Sequence, residues 1–156
     1  MTTVQPIPDQ SETVLRDLMQ ALIDGQKGFD KAAESLEDDG NSDLAQKMSQ
    51  FAEQRERLSA ELQEAASTYV TLSDVEGSTS ADLHRAWMGL ADAITGDDPH
   101  AILAVAEQGE DRAKKAYSEA LKEDLPEDLR AIVARQSDEV IEAHDQVREL
   151  RDRHAS

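Results

Sequence analysis

The sequence predicts an all-α fold: a four-helix bundle of two helical hairpins, joined by a long crossover that contains a short fifth helix. Three observations lead there. Apolar residues recur at alternating steps of three and four along four long stretches, the spacing of a helix seam. Aromatics make up 3% of the 156 residues and hydrophobics 38%, so the core is built from Leu, Ala, Ile, Val and Met, which suits closely packed helices. Breakers and capping residues divide the stretches and leave one long connection.

Residues 1–10, MTTVQPIPDQ, read as a flexible tail ahead of a single domain over 11–153. Ser11 is positioned to cap a first helix at about 12–37, whose seam is Leu15, Leu18, Leu22, Gly25, Phe29, Ala32 and Leu36. Asp38, Asp39, Gly40 and Asn41 break it, and Ser42 is an N-cap for a second helix at about 43–67. Its seam is Leu44, Met48, Phe51, Arg55, Leu58, Leu62 and Ala65, and the short link makes the pair an antiparallel hairpin. STYVTLSDVEGSTS, from Ser67 to Ser80, holds no helical period and reads as connection. A short helix at 81–95 follows, with Leu83, Trp87, Leu90 and Ile94 on one face and Gly96 past its end.

Asp98 caps the next helix, at about 99–122, with Pro99 in its first position and a seam of Leu103, Ala106, Glu110, Ala113, Tyr117 and Ala120. The last, at 126–152, turns Leu129, Val133, Gln136, Val140, Ala143, Val147 and Leu150 inward. One long crossover is the connectivity of ferritin-like bundles, whereas simple up-down bundles have short loops throughout. A weak likeness of KGFDKAAESL to KAYSEALKED, with Phe29 matching Tyr117, hints at a repeated hairpin.

Polar residues interrupt the seams near the helix middles. With the first turn centred near Gly40, Gln26 and Arg55 come level; with the second near Asp124, Glu110 comes level with Asp138, within a turn of Gln136. Gln26, Arg55, Glu110 and Gln136 are therefore expected to form one polar layer across the bundle. A buried arginine or glutamate alone is very costly, while a hydrogen-bonded pair offsets most of the desolvation. Arg55 is expected to pair with Glu110, the two glutamines completing the hydrogen bonds.

Di-iron carboxylate bundles need Glu-x-x-His on two helices, because one turn brings both side chains to the same metal. The chain has no such motif, and Arg55 puts a positive charge where cations would sit. The residues left as metal-ligand candidates, for iron or manganese, are Glu107, Glu110 and His144, with Glu107 near the height of His144. His84, beside Trp87, reads as a packing residue, and His100 and His154 as exposed. No catalytic residue and no cofactor is assigned: the serines fall in caps and links, and no glycine-rich phosphate loop is present. Gly25, Gly28 and Gly109 lie within helices, where close approach beside the polar layer is the expected use.

The chain has no cysteine, which removes disulfides, thiolate nucleophiles and zinc–thiolate sites. Its 34 acidic residues against 16 basic give a net charge of −18, a surface that repels nucleic acid and anionic membranes. Solubility, adaptation to high salt, and attraction of cations or a basic protein partner each account for that charge. The N-terminus lacks a signal-peptide pattern and no stretch approaches a membrane span, so the expectation is a cytoplasmic protein.

QRERLSAEL, LHRAWMGL, QGEDRAKKAYSEAL and ARQSDEVIEAHDQVREL, together with IDGQKGFDKAAESL, resemble a bacterial four-helix-bundle family, a domain of unknown function placed in the ferritin-like superfamily. The likeness spans nearly the whole chain after the first ten residues. That superfamily implies iron oxidation or storage, and the chain departs from its pattern by lacking both Glu-x-x-His motifs. The reading is a non-enzymatic, stress-associated interaction protein acting with a protein partner or as a homo-oligomer. The alternatives are a metal-binding protein that handles iron or peroxide, and an assembly or scaffold component.

Overall fold

The structure, a computed structural model, describes residues 7–76 and 98–153. Among the described residues there are four helices and no strand: α1 (Asp9–Asp38), α2 (Ser42–Ala66), α3 (Pro99–Leu121) and α4 (Glu127–Arg153). The short helix expected at 81–95, with His84 and Trp87, lies outside the described residues, as does His154.

Local chemistry sets the helix ends, in two cases differently from the expectation. α1 begins directly after Pro8, and Asp9 and Glu12 place negative charge on its first turn, where the helix dipole favours it. Ser11 is not its cap; it lies inside the first turn, and its Oγ donates to the Asp124 carbonyl at 3.0 Å, tying the start of α1 to the α3–α4 turn. At the other end of α1, Asn41 N donates to Leu36 O at 2.8 Å and Gly40 N to Glu37 O at 3.1 Å. These are the paired bonds of a Schellman ending, and Gly40 takes the left-handed φ of 82° that the motif requires. That turn runs straight into α2, so Asn41 occupies the cap position without a side-chain bond, and Ser42 is already helical. Asp98 does cap α3, accepting from His100 N at 3.1 Å ahead of Pro99.

Each helix packs beside two others: α1 against α2 and α3, and α4 against α3 and α2. Ser11–Asp124 and Asp24–Arg112 contacts run α1 antiparallel to α3. Gln54 reaching Glu139 O and Gln136 reaching Leu58 O run α2 antiparallel to α4. It follows that α2 and α3 are parallel and diagonally opposed, and that α2 ends at the opposite end of the bundle from where α3 begins. The first residues after α2 close that end: Val70 and Leu72 are buried, Tyr69 Oη donates to Asp128 at 2.7 Å, and Arg16 holds both Thr71 O and Asp74 at 3.1 Å.

Among the described residues the core falls into two clusters. Phe29, Leu36, Met48, Phe51, Ile102 and Leu103 fill the end near Gly40, with the Phe29 and Phe51 rings 5.4 Å apart. Leu15, Leu22, Leu58, Leu62, Leu129 and Val140 fill the other. Buried polar side chains sit between them. No helix among the described residues is long and apolar enough to cross a membrane.

Candidate functional site: a buried polar layer

Arg55, on α2, faces inward because it occupies a seam position between Phe51 and Leu58, and Glu110 does the same on α3. The helices are diagonal neighbours, so the Arg55 Nη2–Glu110 Oε1 ion pair crosses the middle of the bundle. Both side chains are essentially inaccessible, at 1% and 0% exposure. The guanidinium carbon also lies 5.8 Å from the Phe29 ring centroid, within cation–π range. Gly25 on α1 faces the arginine stem: a Cβ there would meet Arg55 Cγ at 3.5 Å and Cδ at 3.6 Å. These are ordinary van der Waals contacts, so the close approach expected at this glycine still leaves room for a methyl group.

The expectation that Gln26 and Gln136 complete this pair's hydrogen bonds is corrected. Among the described residues, Arg55 Nε and Nη1 and Glu110 Oε2 are buried without a hydrogen-bond partner. Gln26 is only half-buried. Gln136, fully buried, accepts from Tyr117 Oη at 2.9 Å and donates to Leu58 O at 3.2 Å and Glu61 Oε1 at 2.7 Å. For Gln136 the reason is register. Tyr117 meeting Gln136, and Asp111 meeting His144, centre the second turn near Pro126 and Glu127 rather than at Asp124. An error in the centre of a hairpin doubles along its arms, so Glu110 comes level with the Ala143–His144 region and not with Asp138.

The three metal-ligand candidates do not converge. Glu110 is turned to Arg55. Glu107 is held by Arg151, with its other oxygen 3.7 Å from His144 Nε2. His144, 6% exposed, has Nε2 2.8 Å from Asp111 Oδ1 and Nδ1 3.4 Å from Asp145 Oδ1. Among the described residues, no group of three or more His, Cys, Asp or Glu side chains is placed to hold a metal ion.

Burial dominates the electrostatics. It pushes the Glu110 carboxyl above its ordinary value, outweighing the attraction of Arg55, and it raises the Tyr117 phenol as well. At the edge of the layer the sign reverses: hydrogen bonds from Arg135 and then Gln136 hold Glu61 below the usual carboxylate range. Arg135 also reaches Glu139 at 2.7 Å and Arg57 reaches Glu139 at 2.8 Å, so a polar ladder joins α2 to α4.

Sequence reasoning missed Asp24, which is fully buried and bonded to Arg112 at 2.8 Å, and the polar role of Tyr117. The available signal for Asp24 was its place beside Gly25, next to the seam. For Tyr117 it was the hydroxyl on an otherwise apolar seam, which needs a partner when buried.

A family model described as a domain of unknown function (DUF2383) matches residues 10–123, which takes in α1, α2 and α3 but not α4. No curated protein matches the chain.

Proposed function

The chain belongs to the DUF2383 family, a domain of unknown function, and on that premise we propose that it is a non-enzymatic interaction protein of the bacterial cytoplasm. In this reading the bundle is ferritin-like and an ion pair takes the place of a di-iron centre. The one observation that carries it is the Arg55–Glu110 pair on the bundle diagonal. A fixed guanidinium there opposes cations, and the carboxylate that would ligate one is already committed. The parallel, diagonal arrangement of α2 and α3 supports the ferritin-like assignment, since it requires one long crossover. With the centre closed to chemistry, the working surface is the outside, whose net charge of −18 favours a partner with a basic face; association with further copies of itself is the other form this function takes.

Elemental analysis of protein purified without chelator, followed by aerobic Fe(II) oxidation, tests this. The expected result is substoichiometric metal and no acceleration of oxidation. Iron or manganese bound in whole-number ratio to the chain, with turnover of Fe(II), would establish the rival iron- or peroxide-handling reading instead. Light scattering addresses the scaffold alternative, which requires a large discrete species.

A further inference from the structure

The Arg55–Glu110 pair closes one hydrogen bond and, among the described residues, leaves three buried polar atoms without one: Nε and Nη1 of the arginine and Oε2 of the glutamate. Each of these atoms is shielded from bulk solvent, and an unmade hydrogen bond in a protein interior carries the full desolvation penalty. Three such atoms in one layer are a large demand on a bundle of ordinary stability. The demand is also chemically lopsided in an informative way. Nε and Nη1 offer donors, and Oε2 offers acceptor lone pairs.

Charge narrows what can answer it. The pair is neutral in sum, so an added anion would face the Glu110 carboxylate and an added cation the guanidinium, each buried with an uncompensated charge. An apolar occupant would leave all three atoms as they are. What fits is a small neutral molecule that accepts and donates at once, in a place with two or more polar partners. The Phe29 ring lies against the guanidinium carbon, so the unpartnered Nε–H and Nη1–H bonds, which lie in the guanidinium plane, are the directions left for such a molecule.

We propose that the centre of the bundle is a built internal water site, in which at least one water accepts from Arg55 Nε or Nη1 and donates to Glu110 Oε2. The layer is then a hydrated ion pair, and the two core clusters on either side of it are joined through water as well as through the direct bond. This assignment stands apart from the proposed interaction role and does not depend on it.

Water-selective NMR on the full-length protein, labelled with nitrogen-15 and carbon-13, tests the site, with the Arg55 Nε–H resonance assigned by through-bond correlation along its own side chain. The expected result is dipolar transfer from water to Arg55 Hε with the sign of a long-lived bound molecule. Oxygen-17 relaxation dispersion, using labelled water as the probe, should lose the amplitude of one or more waters in the Arg55→Met, Glu110→Leu double variant. The transfer measurement needs no variant that might alter folding, so it decides alone if the double variant does not fold. Three results would overturn the proposal: no water contact at Arg55 Hε or at its Nη protons, an unchanged dispersion amplitude in a folded double variant, or a chloride-dependent shift of Hε that reveals an anion in place of water.

Discussion

Replacing Gly25 by alanine adds one methyl group against the aliphatic stem of Arg55, at contact distances of 3.5 to 3.6 Å. Glycine inside a helix costs about 0.5–1 kcal/mol relative to alanine, and nothing near this position pushes back. Gly25→Ala is therefore expected to raise the urea midpoint, by a stability gain of about 0.5–1 kcal/mol. A loss would mean that the arginine stem cannot yield the space. The opposite sign is expected for Tyr117→Phe. Removing the hydroxyl leaves Gln136 Oε1 buried without its 2.9 Å donor, at a cost of about 1–3 kcal/mol, read from the same denaturation curves. Both residues were read from the sequence as seam positions, which is correct for their helix face. What the seam could not convey is how much room stands opposite a glycine, or which way a phenol's oxygen points. Those depend on the neighbouring helix.

At the level of elements, the long helices were legible because each carries a sustained three-and-four period, and the cap at Asp98–Pro99 because its signal is local. The starts of α1 and α2 were not read correctly, for a reason that is not local. Ser11 has the chemistry of a cap but is used by Asp124, a residue 113 positions away, and Ser42 is displaced by a Schellman turn that leads directly into the next helix. The pairing of Arg55 with Glu110 followed from the cost of burying either alone. The position of Gln136 did not, because register across the α3–α4 hairpin rested on a turn centre misplaced by a few residues. The α2–α4 ladder gives an element-scale prediction. Arg135 is half exposed, so Arg135→Ala should move the urea midpoint little and less still at high salt, while Gln136→Ala, which opens the buried end of the same ladder, should move it distinctly more in a parallel salt series.

For the whole molecule, stability should report the state of the central layer. Glu110 has its folded-state pKa raised above 4.5 by burial. Its contribution is then fully present below the unfolded value and is lost as pH rises through the folded value. Glu61, lowered from 4.5 chiefly by Arg135, works the other way: its contribution is present above that value and is lost as pH falls through the folded one. Glu110→Gln removes only the first titration. The stability of the unaltered protein relative to this variant should accordingly be greatest below about pH 4.5 and decline as pH rises; a relative gain on rising pH would mean that Arg55 outweighs the burial.

The most direct test of the claim that an ion pair closes the bundle centre is a double-mutant cycle on Arg55→Met and Glu110→Leu, measured by urea denaturation. Each single change strands one buried charge and should cost about 3–5 kcal/mol. The double change removes both charges and should be close to neutral or stabilising, giving a coupling energy of several kcal/mol, well above the few tenths found between independent sites. Single losses that simply add in the double variant would contradict the pairing, and with it the account of what fills the middle of this fold.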